Sequence, residues 1–451
     1  MRIAFVVHKF PPDSLGGVET HTWSLAHALA EAGHEVHVFY PLAGLCDANP
    51  PLRRDGLFLW RVPLPDARAL EAAHPAALRG RFAAPRQFWH TFRDSAIEAA
   101  FAAFLERVRP DVVHFQHVQG VSARLISLAA AWPRVITLHD YWFFCANSQL
   151  LTADGQVCVG PEGCYHCVDC LTERTDLRRL RAVRPLLALP LLYRNRYLRK
   201  VTQTVPLFLA PSEFLRQQYV TQGFPAARIQ KVELGLEFGR LGDAAEGASE
   251  PHTTGKLPPL RSGDASRVRF GYVGALARHK GVHVLIEAFN RLPPEATLVV
   301  HGNEAAFPGY AAELRASAQH PGIRFAGPLD HRDVGAAMRQ VDCLVVPSVW
   351  YENSPQVIQE AFGVGIPVVA SRLGALPEKV VDHKSGRLFN PGDSADLAQV
   401  LRELTEHPDQ LAAMRASIRP APSMTEHGRY MLRVYQAVMD CHLGETVGTI
   451  S

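Results

Sequence analysis

Short apolar runs, each the length of one buried strand and each leading through a loop into a helix-like stretch, recur along this chain. No other feature narrows the possible folds as much. Ile3-Ala4-Phe5-Val6-Val7 is the first such run. It reads as a strand buried on both faces, and a loop bearing Pro and Gly connects it to an apolar-periodic helix from about Val18 to Gly33. Val36 to Phe39, Val112 to Phe115, Val135 to Leu138 and Leu207 to Ala210 are further strands, with helical stretches such as Phe101 to Val108 among them. Strands alternating with helices predict an α/β protein whose open parallel sheet is covered on both faces.

A second series follows, with strands at Val268 to Val273, Thr297 to Val300, Ile323 to Phe325, Cys343 to Val346 and Pro367 to Ala370. At 451 residues the chain exceeds one ordinary core, so the expected architecture is two doubly wound, Rossmann-like domains facing a cleft. The first spans 1–235, a linker without apolar period spans 236–266, and the second domain spans 267–420. The remaining 421–451 contain an apolar-periodic stretch, about Gly428 to His442, expected to return towards the first domain.

Several function classes are disfavoured. A net charge of +3 gives no argument for a nucleic-acid partner. His8, Lys9, Pro11 and Pro12 interrupt the first apolar run before it could serve as a signal-peptide core, and no stretch reaches about 18 consecutive apolar residues. A cytoplasmic protein is expected, in which eight cysteines would remain thiols.

Open parallel sheets bind ligands at the carboxyl ends of their strands, so site residues should directly follow strands. After Val346 come Pro347, Ser348, Trp350, Tyr351 and Glu352, then Asn353, Ser354, Pro355 and Gln356. Ser354 is a good helix N-cap and Pro355 suits the first turn, which predicts a helix to about Phe362. Free N–H groups and the helix dipole make its start an anion site suited to a diphosphate. Glu360 lies more than a turn inside that helix, so Glu352 and Glu360 cannot form a tight acid/base dyad and should touch different parts of one ligand. After Val273, Gly274 permits close approach of the loop, while Arg278 and Lys280 supply positive charge for a leaving diphosphate.

The ordered set Pro347-Ser348, Glu352-Asn353-Ser354-Pro355, Glu360-Ala361, Gly365 to Ser371 and Gly374 resembles the signature of family 4 of the retaining glycosyltransferases, which have the GT-B fold. Glu378, Gly386, Phe389 and Pro391 to Asp393 continue the likeness. The resemblance implies transfer of a sugar from a nucleoside-diphosphate sugar, such as a UDP- or GDP-sugar, to a saccharide or lipid-linked saccharide in surface polysaccharide assembly, with no catalytic metal. A sugar phosphorylase or epimerase on this fold, and a non-catalytic sugar-nucleotide-binding protein, are the other readings. Carried over, Glu352 lies beside the donor sugar, Glu360 holds the ribose, Lys280 precedes Gly281 as in the family, and His139 contacts the donor sugar. Ala275 stands where the family has Arg, which leaves the second cation open, with Arg278 as the candidate from the same loop. The pair Gly16-Gly17 is expected near the donor phosphate or acceptor in the acceptor-side domain, although a turn requiring positive φ explains two glycines equally well. Glu19 and His21 are weaker candidates, and His114 and His117 could line an acceptor pocket or simply pack.

Five cysteines cluster at 145–170, with Cys164-x-x-Cys167-x-x-Cys170 as the tightest part. A similar insert marks a subgroup of the resembling family. Short spacings suit a structural zinc held by Cys145, Cys158, Cys164 and Cys167, with Cys170 or His166 as replacement; an iron–sulfur cluster or reduced thiols are the alternatives. From Arg174 to Lys200, arginines interleave with Leu186-Leu187-Ala188-Leu189 and Leu191-Leu192-Tyr193. That composition suits peripheral contact with an anionic inner-membrane surface or an ordinary domain helix with a solvated basic face. Pro185 and Pro190 argue against one long helix there.

Overall fold

The computed structural model describes residues 1–12, 16–42, 51–63, 88–175, 177–237, 268–330 and 333–443. Most of the expected linker, and the Lys-Leu-Pro-Pro run within it, lies outside the described residues. The chain divides into two compact units: the described parts of Met1–Asp154, Cys158–Gly235 and Met424–Ser451, and those of Gly155–Val157 and Leu236–Ser423.

In the first unit the strands are β1 (Arg2–Val6), β2 (Glu35–Leu42), β3 (Leu52–Arg54), β4 (Leu57–Pro63), β5 (Val112–Phe115), β6 (Arg134–Thr137), β7 (Leu207–Ala210) and β8 (Ile229–Lys231). They form one sheet in the order β3-β4-β2-β1-β5-β6-β7-β8, parallel except for the β3/β4 hairpin. The order reverses direction at β1, which pairs with β2 on one side and β5 on the other. The Gly17–Glu31 helix buries Leu25, Ala26 and Leu29 against this sheet, and the Met424–His442 helix adds Met431, Val434, Tyr435 and Val438 to the same core.

The second unit holds β9 (Arg269–Val273), β10 (Thr297–His301), β11 (Ile323–Gly327), β12 (Cys343–Val346), β13 (Val368–Ser371) and β14 (Gly386–Phe389). Their order is β11-β10-β9-β12-β13-β14, parallel throughout, with the switch point between β9 and β12. Successive side chains of β12 enter different cores: Cys343 and Val345 face the cluster built on the helices Val282–Phe289 and Ser394–Glu406, while Leu344 and Val346 face Ile358 and Phe362. That alternation on a continuously apolar strand is the reason its sequence shows no period of two. Each such fully buried side chain contributes about 1.5–3 kcal/mol. At the amino ends of β9 and β12, the Arg269 guanidinium donates twice to the buried Asp342 (2.9 and 2.9 Å), so this carboxylate fastens the sheet at the edge opposite the strand ends that carry ligands.

Two local expectations need correction. Residues 184–202 form one helix, Arg184–Thr202, with Pro185 at its start and Pro190 inside it. Pro185 occupies a position whose N–H has no intrahelical partner, and the carbonyl that Pro190 leaves unpaired belongs to the exposed Leu186, where water can satisfy it. The helix after β12 begins at Gln356, with Pro355 and not Ser354 at its N-cap.

Candidate active site

Two loops meet at the carboxyl ends of β9 and β12, flanking the switch point of the second sheet. Gly281 makes their contact possible: its φ is +72°, and a Cβ there would stand 1.8 Å from the Pro347 carbonyl oxygen. Beside it Val349 N–H donates to the His279 carbonyl (3.0 Å). This close approach brings Lys280 Nζ to 2.7 Å from Glu352 Oε1, and Ser348 Oγ donates to the same oxygen at 2.7 Å. Lys280 also lies 5.1 Å from the Trp350 ring centroid, while His279 packs edge-on against that ring. Burial would raise the Glu352 pKa, but the Lys280 charge and the hydrogen bonds from Lys280 and Ser348 outweigh it, and the carboxyl is held below its ordinary range. Glu352 is therefore an ionised, buried carboxylate. Its backbone is clamped from the far side by Gly374, at φ +60°, whose missing Cβ would come within 3.0 Å of the Glu352 carbonyl.

The Gln356–Gly363 helix starts immediately afterwards. Pro355 at its N-cap offers no side-chain acceptor to the first N–H groups, and the buried Ser354 hydroxyl has no hydrogen-bond partner among the described residues. The Ser371 hydroxyl, fully buried at the end of β13, is likewise unpartnered. Buried hydroxyls without partners are uncommon in native structures and fit a polar ligand at this helix end. Asn353 and Gln356 lie half-buried here, and Glu360 is half-buried one turn further on. Gly274 closes the first loop, with its N–H on the His301 carbonyl (3.1 Å). Arg278 is not drawn into the Lys280–Glu352 group. It pairs with Glu313 and stands over the Tyr310 ring at 5.0 Å, so the cation offered for the position of Ala275 is engaged elsewhere.

In the first unit, polar side chains gather at the ends of β1, β5 and β6. His139 Nε2 donates to Gln116 Oε1 (2.7 Å). The Gln119 N–H donates to His117 Nδ1 (3.0 Å), which leaves His117 Nε2–H to bond Asp140 Oδ2 (3.0 Å). The His8 ring packs at a tilt against His117, centroids 4.6 Å apart, and its Nε2 is 3.6 Å from the buried Glu19. His21 lies between His139 (5.7 Å) and His427 (5.3 Å). Burial, followed by the neighbouring histidines, holds His8, His21 and His139 well below the usual imidazole range, so these rings are neutral at pH 7. His114 is a packing residue: its two nitrogens bond Tyr435 Oη (2.8 Å) and Thr137 Oγ1 (2.7 Å) in the sealed core. Gly16 and Gly17 have no positive φ; Gly16 is extended and Gly17 opens the helix. A Cβ on Gly16 would stand 2.5 Å from the Glu19 carboxylate, whereas one on Gly17 would meet nothing within 4 Å, so no positive φ demands this pair and the space beside Gly17 is open to a ligand. His8, Gln116 and His427 were not singled out from the sequence. His8 and Gln116 follow strand ends and could have been found by that rule; His427 comes from a distant helix and could not.

The five clustered cysteines do not assemble the expected metal centre. Among the described residues no three His, Cys, Asp or Glu side chains stand close enough together to hold an ion. Asn147 is wedged between two of the thiols, accepting from Cys145 Sγ (2.9 Å) and donating to Cys170 Sγ (3.3 Å). Cys164 and Cys167 hydrogen bond to each other, and Cys164 packs with Val168, Ala188 and Leu191. Burial raises the Cys145 and Cys158 thiols, while the hydrogen bond with Cys167 lowers that of Cys164.

Comparison with known proteins is consistent along the chain. Residues 15–238 match the family described as Glycosyltransferase Family 4, and residues 267–407 match Glycosyl transferases group 1. The chain is 26% identical to glycogen synthase of Mycobacterium tuberculosis over 418 residues, covering 90% of this chain and 87% of that one. It is 34% identical to D-inositol 3-phosphate glycosyltransferase of Corynebacterium jeikeium over 209 residues, 44% of this chain and 48% of the relative. Sucrose-phosphate synthase of Thermosynechococcus elongatus shares the fold with a TM-score of 0.67 at 17% identity, covering 98% and 99% of the two chains. Anabaena HepE, solved with UDP and glucose, does so with a TM-score of 0.61 at 16% identity, covering 96% and 99%.

Proposed function

The chain belongs to family 4 of the glycosyltransferases, a GT-B enzyme family, and from that membership we propose that it transfers a sugar from a nucleoside-diphosphate sugar to a saccharide or lipid-linked saccharide acceptor with retention of configuration. The observation that carries the donor assignment is the Lys280–Glu352 pair at the end of β12, beside a helix start whose N–H groups and Ser354 hydroxyl await an acceptor. As the glycosidic bond breaks, charge builds on the phosphate oxygens. Lys280 and the first N–H groups of the Gln356–Gly363 helix supply fixed positive charge to them. The ionised Glu352 accepts from the donor sugar and orients Lys280, while Glu360 accepts from both ribose hydroxyls. In the first unit His139, neutral and with its Nε2–H given to Gln116, can only accept from a sugar hydroxyl at Nδ1, and Gly17 leaves room for a ligand. Transfer in this family requires no catalytic metal.

HepE holds UDP and UDP-glucose in its solved complexes, which makes UDP-sugars the first donors to screen. The acceptor role falls to the first unit, and surface polysaccharide assembly in the cytoplasm is the setting we propose; the seven described cysteines, all thiols, suit a reducing compartment. The test is donor-dependent nucleotide release across a panel of nucleotide sugars, with Glu352→Gln as control. A loss of about 10²–10³ in kcat/KM is expected for the variant, and equal turnover would discredit the role given to Glu352. Phosphate-dependent release of sugar phosphate from a saccharide, without nucleotide, would instead mark a phosphorylase.

A further inference from the structure

The surface formed by residues 178–200 has no part in the site described above, and it is unlike the remainder of the molecule. Between Arg174 and Lys200 the sequence carries nine Lys and Arg and one Asp; of the nine, Arg178, Arg181 and Arg184 pair with Glu173 or Asp169 just upstream, and Arg194 is buried. Thirteen large hydrophobic side chains are exposed among the described residues, and six of them lie between Leu180 and Tyr193. Leu186, Leu189 and Tyr193 are 66%, 60% and 59% exposed, and all three fall on the outer face of the Arg184–Thr202 helix, whose opposite face buries Ala188, Leu191, Leu198 and Val201. The outer face is apolar over its first turns and basic over its last, where Arg196, Arg199 and Lys200 are exposed and make no ion pair among the described residues. Aromatic rings extend the apolar part sideways: Tyr193 packs on Phe92 at 5.3 Å, and Phe92 on Trp89, itself 63% exposed.

We propose that this face docks the enzyme on an anionic lipid bilayer. Singly exposed hydrophobic residues are ordinary, but a contiguous ridge of them flanked at one end by Arg196, Arg199 and Lys200, which pair with no acid among the described residues, is not. An apolar stripe with a basic flank and Trp and Tyr at its margin matches a helix lying in the headgroup layer, where leucines enter the acyl boundary and guanidinium groups meet lipid phosphates. A protein partner or a second copy of this chain would be drawn by the leucines alone, but neither explains why the exposed Arg196, Arg199 and Lys200 lie beside them. The inference rests on this surface and not on the assignment of the donor site.

The test is co-sedimentation of the full-length protein with vesicles of phosphatidylcholine alone or of phosphatidylcholine mixed with phosphatidylglycerol. Binding should be at least about tenfold stronger to the anionic vesicles and should weaken with salt. Each basic residue at the surface is worth about fivefold, so Arg196→Gln/Arg199→Gln/Lys200→Gln should lose about a hundredfold, and Leu186→Asp/Leu189→Asp should also release the protein. These side chains are solvent-exposed, so folding should survive, as unchanged circular dichroism and donor-dependent nucleotide release would establish. Equal binding to both vesicle types, wild-type binding by either variant, or self-association abolished by Leu186→Asp/Leu189→Asp without vesicle binding would each overturn the proposal. A donor screen that failed while vesicle binding behaved as described would strike the catalytic reading alone.

Discussion

Lys280 and Glu352 are 72 positions apart in sequence, and each is useful only because the other is present. Lys280→Met leaves a buried carboxylate without its counter-charge. Lys280 is itself partly exposed, so the cost falls below that of a wholly buried pair, at about 2 kcal/mol of stability in the second unit. Glu352→Gln keeps an acceptor for Ser348 and should cost only about 1 kcal/mol, which keeps its kinetic test clean; chemical denaturation of both variants checks this ordering. Because the Glu352 pKa lies below its ordinary value, the pair's contribution is complete above the unfolded carboxylate range and disappears only as pH falls through the lower folded value. Two glycines give an opposed pair of outcomes. Gly281→Ala places a Cβ into the Pro347 carbonyl at a left-handed φ and should destabilise the second unit by at least about 2 kcal/mol. Gly17→Ala meets nothing and replaces a poor helix former, so thermal melting should show no loss, or a gain of about 0.5–1 kcal/mol, while kcat/KM falls if ligand approaches there. A stability loss at Gly17 would mean that its role is structural.

Individual elements were legible in proportion to how completely hydrophobic burial specified them. Most strands that the sequence displays are central and buried on both faces; β11, Ile323–Gly327, is the exception, an edge strand with no fully buried side chain that shows through its alternating apolar residues. β14 was not recognised because Arg387 sits in the middle of Gly386-Arg387-Leu388-Phe389; its guanidinium is buried and pairs with Glu403 at 2.9 Å. β8, Ile229-Gln230-Lys231, is a short polar edge strand with no periodic signal. The Arg184–Thr202 helix survives two prolines because packing of Leu191, Leu198 and Val201 outweighs one missing hydrogen bond. The Met424–His442 helix is tied in by more than apolar contact, since Tyr435 Oη bonds the buried His114 ring. Tyr435→Phe leaves that ring nitrogen only the longer contact from Gln116 Nε2 (3.3 Å) and should cost about 1 kcal/mol. A chevron or equilibrium melt of the first unit would measure it, and a change below the error would mean that the bond contributes nothing net.

For the whole molecule, acid should act unequally on the two units. His8, His21, His114, His139 and His427 all belong to the first, and burial depresses each of them, His427 to about 4. Below the unfolded histidine value of about 6.5, the unfolded chain takes up protons that the native unit refuses. Stability is therefore full above about pH 6.5 and declines as pH falls towards the folded values, with His427 alone accounting for about 3 kcal/mol across that window. Among the described residues, the second unit has only the milder depressions of His283 and His301. Calorimetry at pH 7.5 and pH 5.5 should show the transition of the first unit falling further, and His427→Gln should reduce the difference. Parallel displacement of both transitions in every variant would contradict this account.

The α/β class, its division into two doubly wound sheets and the family of the chain are carried by local and periodic signals: apolar runs, the loops after them, and the contiguous stretch from Pro347 to Glu360. Such signals survive in a bare sequence because each depends on neighbours within a few residues. Tertiary structure decided which side chains meet. It paired Lys280 with Glu352, turned Arg278 to Glu313, brought His427 to His21 and set Asn147 between thiols that spacing alone would have gathered on a metal. Those outcomes depend on strand register, loop closure and side-chain rotamers, which only the packed chain determines.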